Sequence, residues 1–147
     1  MSDMFVNVLR PADLGDDIPN GEPVVEVVRY DTFVGWLFKP DTYAEMLHHA
    51  KGGLCEEAGE TSGWLKKHLT YGIPLHHTYP DGKTLRDKIK EELGDLQFYA
   101  RAIQNVLGFN MQEVLQANAD KLSERYKELR YNQADAIARK DKNGAQD

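Results

Sequence analysis

The sequence predicts an all-α protein, a helical bundle of three long helices plus a short N-terminal one, completed by oligomerisation. Three observations carry this. Two stretches, Thr42 to about Leu69 and Thr84 to Leu107, repeat apolar residues at three- and four-residue intervals. Each opens on a Thr with an acidic residue three positions later, Glu45 and Asp87. A third periodic stretch follows Asn110 with Glu113 at the same spacing.

Taken in order, the first thirty residues hold Pro11, Gly15, Pro19, Gly21 and Pro23 and read as a loop. The β-branched run Val24, Val25, Val27 and Val28 then predicts a short extended segment. Asp31 is placed to cap a brief helix through Phe33, Trp36 and Leu37, which Pro40 stops. The first long helix follows from Thr42. Tyr71 to Lys83, with Gly72, Pro74, Pro80 and Gly82, is the main interruption. The second long helix ends at Gly108, and the third runs from Asn110 through about Arg130. Tyr131 to Asp147 is polar and is expected to carry one short helix before it frays. Such a bundle leaves one face open for a partner subunit.

The 147 residues suit one domain, with a helical core at about residues 31–130 and a polar tail at 131–147. With 41% hydrophobic and 29% charged residues the chain falls among soluble globular proteins. No apolar run reaches membrane-spanning length and no basic leader precedes an apolar stretch, so a cytoplasmic protein without membrane contact is expected. The single Cys55 cannot form an intramolecular disulfide and is expected as a small core residue. Eighteen basic against 24 acidic residues give a net charge of −6, which opposes duplex nucleic acid. It does not oppose a nucleotide whose phosphates are screened by metal ions.

One acidic pattern occurs twice, as Glu56-Glu57-Ala58-Gly59-Glu60 and Glu91-Glu92-Leu93-Gly94-Asp95. The apolar stripe of the first long helix reads Leu47, Ala50, Leu54, Ala58, Thr61 and Leu65; that of the second reads Leu85, Ile89, Leu93, Leu96, Ala100, Ile103 and Leu107. On an ideal wheel Glu57 and Glu92 lie about 50–55° from the centres of their stripes, and Glu60 and Asp95 about 110–115°. Glu56 and Glu91 lie about 150° away and are expected in solvent. An acidic pair on one helix is ordinarily a solvated face. Equal offsets of equal sense on two helices joined as an antiparallel hairpin bring Glu57, Glu60, Glu92 and Asp95 to one edge. Four carboxylates there repel one another unless protonated or neutralised, and an all-oxygen set suits Mg²⁺, with Mn²⁺ also possible. Gly59 and Gly94 cost helix stability, which either a close approach or loose packing accounts for.

The third long helix carries Asn118, Lys121 and Arg125 on one flank. An amide, an ammonium and a guanidinium together offer phosphate a donor set, although pairing with nearby acids, such as Glu124 or Asp120, is an equal alternative.

These elements, together with Tyr99 and Tyr126, resemble the MazG-like all-α nucleoside triphosphate pyrophosphohydrolases. The matching residues are the two acidic motifs and Asn118, Lys121, Arg125 and Tyr126, covering roughly residues 42–130. The resemblance implies hydrolysis of a nucleoside triphosphate, a dNTP or non-canonical NTP, to the monophosphate and pyrophosphate. It implies Mg²⁺ held by Glu57, Glu60, Glu92 and Asp95, substrate contacts from Asn118, Lys121, Arg125, Tyr99 and Tyr126, and a homodimer or homotetramer. The interval between the acidic motifs is long for the family, so the loop with Pro74, His76, His77 and Pro80 reads as an elaboration. Relatives commonly have Pro after the Arg-Tyr pair, where this chain has Lys127. That leaves open whether Arg139, Lys140 and Lys142 reach a substrate.

Two other classes compete. Glu45 and His48 form one Glu-x-x-His pair of the kind used by di-iron carboxylate bundles, but no second pair exists. A non-catalytic helical interaction protein would leave the carboxylates without metal. His48, His49, His76 and His77 read as surface or packing residues, and Trp36 and Trp64 as core or interface anchors.

Overall fold

Both threonine signals operate in the structure, a computed structural model that describes residues 4–10, 24–126, 128–139 and 141. Thr42 is the N-cap of helix α2 (Tyr43–Leu69), its hydroxyl accepting the Glu45 N–H while donating to the Glu45 carboxylate at 2.5 Å. At the start of α3 (Leu85–Leu107), the Thr84 N–H and hydroxyl both donate to Asp87 Oδ2, and the hydroxyl accepts the Asp87 N–H. Each exchange satisfies donors that the first helical turn leaves without partners. Glu45 is thereby engaged at a helix end, and among the described residues the one close group of three or more metal-ligating side chains includes neither Glu45 nor His48.

Helices α2 and α3 form an antiparallel hairpin. Glu57 is grouped with Asp95, Gly53 meets Tyr99, and Ala50 shares a core with Ala102, so partners advance along α3 as they recede along α2. The connection is itself ordered by backbone bonds, from Leu85 N–H to His77 O and from Arg86 N–H to Leu75 O, and by a bridge between Thr78 and Thr84.

Ahead of the hairpin, strand β1 (Phe5–Arg10) pairs antiparallel with β2 (Val24–Arg29), Phe5 facing Arg29. The extended segment at 24–29 agrees with the sequence reading; its partner β1 adds a small sheet to an otherwise helical chain. Helix α1 (Tyr30–Leu37) follows at once and ends ahead of Pro40, but its N-cap is Arg29 rather than Asp31. Asp31 sits in the first turn, where its carboxylate accepts the Thr32 N–H and pairs with Arg29 and with the buried Arg101 of α3. The Asn105 amide also donates to Asp31 O at 2.9 Å, fastening α1 to α3. Val34, Phe38, Ala50 and Ala102 make the core, flanked by Tyr30, Met46, Phe98, Tyr99 and Ile103. Trp36, two positions from Val34, is turned away from this core and is 56% exposed, so of the core-or-interface expectation the core half does not hold.

Residues 108–147 form a second compact unit. Asn110 and Glu113 close a complete capping box on α4 (Met111–Arg125). The helix stops five residues before the expected Arg130: Tyr126 leaves helical geometry and Leu129 takes a left-handed φ of 52°. Asn132 caps the short α5 (Gln133–Ala138), the helix expected in the tail. Lys127, Lys140 and Lys142 lie outside the described residues. Among the described residues no helix is long and apolar enough to cross a membrane.

Candidate metal and nucleotide site

The site begins with which face of α2 meets α3. Its buried residues are Ala50, Gly53 and Thr61; Ala50 and Thr61 belong to the expected stripe, whereas Leu47 and Leu54 of that stripe are half-buried, Leu65 is 39% exposed and Ala58 is exposed. At Gly53 an added β-carbon would lie 2.3 Å from the Tyr99 ring, so only the absence of a side chain lets that ring pack there. Residue 57 falls on the same packed stripe, at helical spacing from 53 and 61, so Glu57 is half-buried on the packed face rather than flanking it. Gly59 and Gly94, by contrast, face open space, and neither marks a close approach. Cys55 lies about 200° around the helix from Gly53 and is exposed, which corrects the expectation of a core cysteine.

Glu57 of α2 and Glu92 and Asp95 of α3 each place an oxygen within 4.8 Å of the others. These are three of the four carboxylates expected to converge. Glu60 is outside this close set, exposed on the next turn, yet near enough to raise the pKa of Glu57. Burial is the main cause of that rise, followed by the charges of Asp95 and Glu60 and a hydrogen bond and charge from Glu92. Glu56 and Glu91 are exposed as expected, and Glu91 pairs with Lys83 at 2.5 Å.

The aromatic surroundings are ordered. Burial raises the Tyr99 pKa, helped by Glu57, Glu56 and Asp95; burial and then Asp95 raise that of Tyr30. His49 stacks on Phe38 with centroids 4.9 Å apart and meets Tyr99 edge-on, which bears out a packing role for that histidine. Trp64 is half-buried and donates its indole N–H to Glu92 Oε1 at 3.0 Å. Sequence reasoning named neither Tyr30 nor this bond, although Trp64 sits two helical turns after Glu57, on the same face.

In the second unit Asn118 and Lys121 are exposed. Arg125 is engaged: its Nε and one terminal nitrogen bind both oxygens of Asp141 at 2.7 and 2.6 Å, rather than the nearer acids considered from sequence. Tyr126 lines a depression of about 320 Å³ with Leu122, Ser123, Leu129 and Tyr131.

A cluster of oxygen donors only, drawn from both arms of a helical hairpin, fits a hard divalent cation. The helical fold and this cluster together define an all-α protein with a candidate divalent-cation site. The MazG nucleotide pyrophosphohydrolase domain model matches residues 46–130, more than half of the chain, and the protein belongs to that family. Comparison with curated proteins and with solved structures finds no match.

Proposed function

We propose that this single MazG-like domain hydrolyses a nucleoside triphosphate, a dNTP or non-canonical NTP, to the monophosphate and pyrophosphate in the presence of Mg²⁺ or Mn²⁺. The observation that carries this reading is the convergence of Glu57, Glu92 and Asp95 within a chain of the pyrophosphohydrolase family. Those three carboxylates, with Glu60 one turn along, would hold the cation. When bound it supplies charge neutralisation for the phosphates and a lower pKa for a nearby water.

The chain's own groups do the rest. A carboxylate oxygen of the cluster accepts the proton of the attacking water. The water oxygen bonds to the α-phosphorus as the bond to the bridging oxygen breaks, and pyrophosphate leaves with that electron pair. The family resemblance would give Lys121 and Arg125 the charge of the outer phosphates, Asn118 the orientation of the nucleotide, and Tyr99 and Tyr126 stacking or hydrogen-bonding roles. A homodimer or homotetramer belongs to the proposal as what the family resemblance implies.

A nucleotide panel with Mg²⁺, assayed separately for pyrophosphate and orthophosphate, tests the proposal. Pyrophosphate with monophosphate is expected. Orthophosphate alone, or no turnover across the panel, overturns it and favours a phosphatase or a non-catalytic helical protein respectively.

A further inference from the structure

Trp64 occupies an unusual position for a large aromatic side chain, because its one polar atom is spent on a carboxylate of the cluster. The bond from Nε1 to Glu92 Oε1 spans the two arms of the hairpin. Indole N–H is a donor without charge and without any accepting ability. It therefore fixes the rotation of a carboxylate without neutralising it, and it leaves Oε2 free of the indole.

The indole is itself held. The Lys67 ammonium lies over its ring at 3.4 Å from the centroid, within cation–π range. Tyr79, from the connection between α2 and α3, meets it edge-on at 5.4 Å and 71°. Tyr79 is secured in turn by His77 edge-on at 5.0 Å and by its own N–H to Lys83 O at 2.9 Å. A chain of contacts thus runs from the connecting loop through Tyr79 and Trp64 to Glu92. Two other features of the hairpin offer no such path: the exposed leucines have no occupant defined by the structure, and Cys55 stands alone.

We infer that Trp64 is a positioning residue for the cation site, orienting Glu92 through its indole N–H, with Lys67 and the Tyr79 loop fixing the indole. The inference rests on the proposed carboxylate site and deepens it. Ligand carboxylates whose outer partners are removed lose roughly 10- to 100-fold in metal affinity.

The test is Mn²⁺ binding, followed by electron paramagnetic resonance of the free ion, for wild type, Trp64→Phe and Glu92→Gln, with circular dichroism as the fold control. Trp64→Phe keeps an aromatic ring and loses the N–H. A rise of about tenfold or more in its Mn²⁺ Kd, with native helicity, is the expected result. Activity should follow as a higher Mn²⁺ concentration for half-maximal rate, with much of the rate recovered at saturation.

Wild-type binding by Trp64→Phe, whether or not its melting point falls, overturns the inference and assigns Trp64 to packing. If Glu92→Gln loses Mn²⁺ in that case, the carboxylate site itself survives. If wild type fails to bind Mn²⁺, the site reading falls and the inference with it. Should Trp64→Phe misfold, benzothienylalanine at position 64 decides: it keeps the bicyclic shape with sulfur in place of N–H, and the same rise in Kd is expected.

Discussion

Gly53 seats the ring of Tyr99: a β-carbon at residue 53 would stand 2.3 Å from both Cε1 and Cζ of that ring. The contact brings α2 and α3 together one helical turn from Glu57 and sets the distance across which the carboxylates face each other. Gly53→Ala is therefore expected to cost about 1–3 kcal/mol in chemical denaturation through overpacking, despite the better helix propensity of Ala. In a Tyr99→Ala background the same change should become neutral or stabilising by up to about 1 kcal/mol. Equal costs in both backgrounds would contradict the contact.

Repulsion within the cluster sets the second expectation. The Glu57 pKa is raised by burial and then by its acidic neighbours, so the folded state holds a proton on it more readily than the unfolded chain does. Stability from this group is fullest at low pH and declines as pH rises through the folded pKa. At neutral pH, Glu57→Gln should raise the melting temperature of the metal-free protein. Mg²⁺ at ten times its Kd should stabilise wild type by about 1.4 kcal/mol, a few degrees in the melt, and Glu57→Gln much less.

Chemistry should fail before folding does when Asp95 is changed. Asp95→Asn keeps shape and removes charge from an exposed position, so native circular dichroism is expected beside a loss of pyrophosphate release of roughly 100-fold or more. Full activity in this variant would remove Asp95 from the proposed site.

Asp31 should contribute to acid sensitivity. Its bond from Arg29, then the Thr32 N–H and the charges of Arg29 and Arg101, lower its pKa from 3.8 to about 2. A depressed carboxylate contributes stability that is fully present above its unfolded pKa and is lost as pH falls through the folded value. Between about pH 4 and pH 2, Asp31→Asn should lose stability less steeply than wild type, starting from a lower value at neutral pH. Parallel melting curves for the two proteins over that range would contradict the assignment.

Asp141 offers Arg125 a carboxylate where the proposed function gives it a phosphate. The bidentate bond from Arg125 lowers the Asp141 pKa to about 2, so the pair is ionised throughout the neutral range. Asp141→Asn should tighten triphosphate binding roughly fivefold in calorimetry. Arg125→Ala should weaken triphosphate binding more than nucleoside binding. An unchanged affinity in Asp141→Asn would show that the two anions do not compete.

Local signals were the legible part of the fold. Thr42, Thr84 and Asn110 each open a helix because a cap depends on atoms within three residues of it. The repeated acidic motif also forecast that residues on two helices converge. The packed face of α2 was legible in part: Ala50 and Thr61 of the expected stripe are buried, whereas Ala58 and Leu65 are exposed and the close approach falls at the missing side chain of Gly53, which no hydrophobic pattern marks. Glu57, in line with Gly53 and Thr61, is half-buried, and Glu60 stays outside the tight set. The bond from Trp64 to Glu92 required the register between the helices, which no single-helix pattern contains. Strand β1 was missed because Phe5, Val6 and Val8 need a pairing partner distant in sequence before their extended form is favoured.

The carboxylate centre is closed by consecutive helices, and every residue in it precedes Leu107. A centre built from one sequence-local hairpin has low contact order, which favours its early assembly. On a translating ribosome its negative charges would be gathered before α4 emerged. Intracellular cations could then begin to stabilise the nascent chain while its C-terminal unit was still being synthesised.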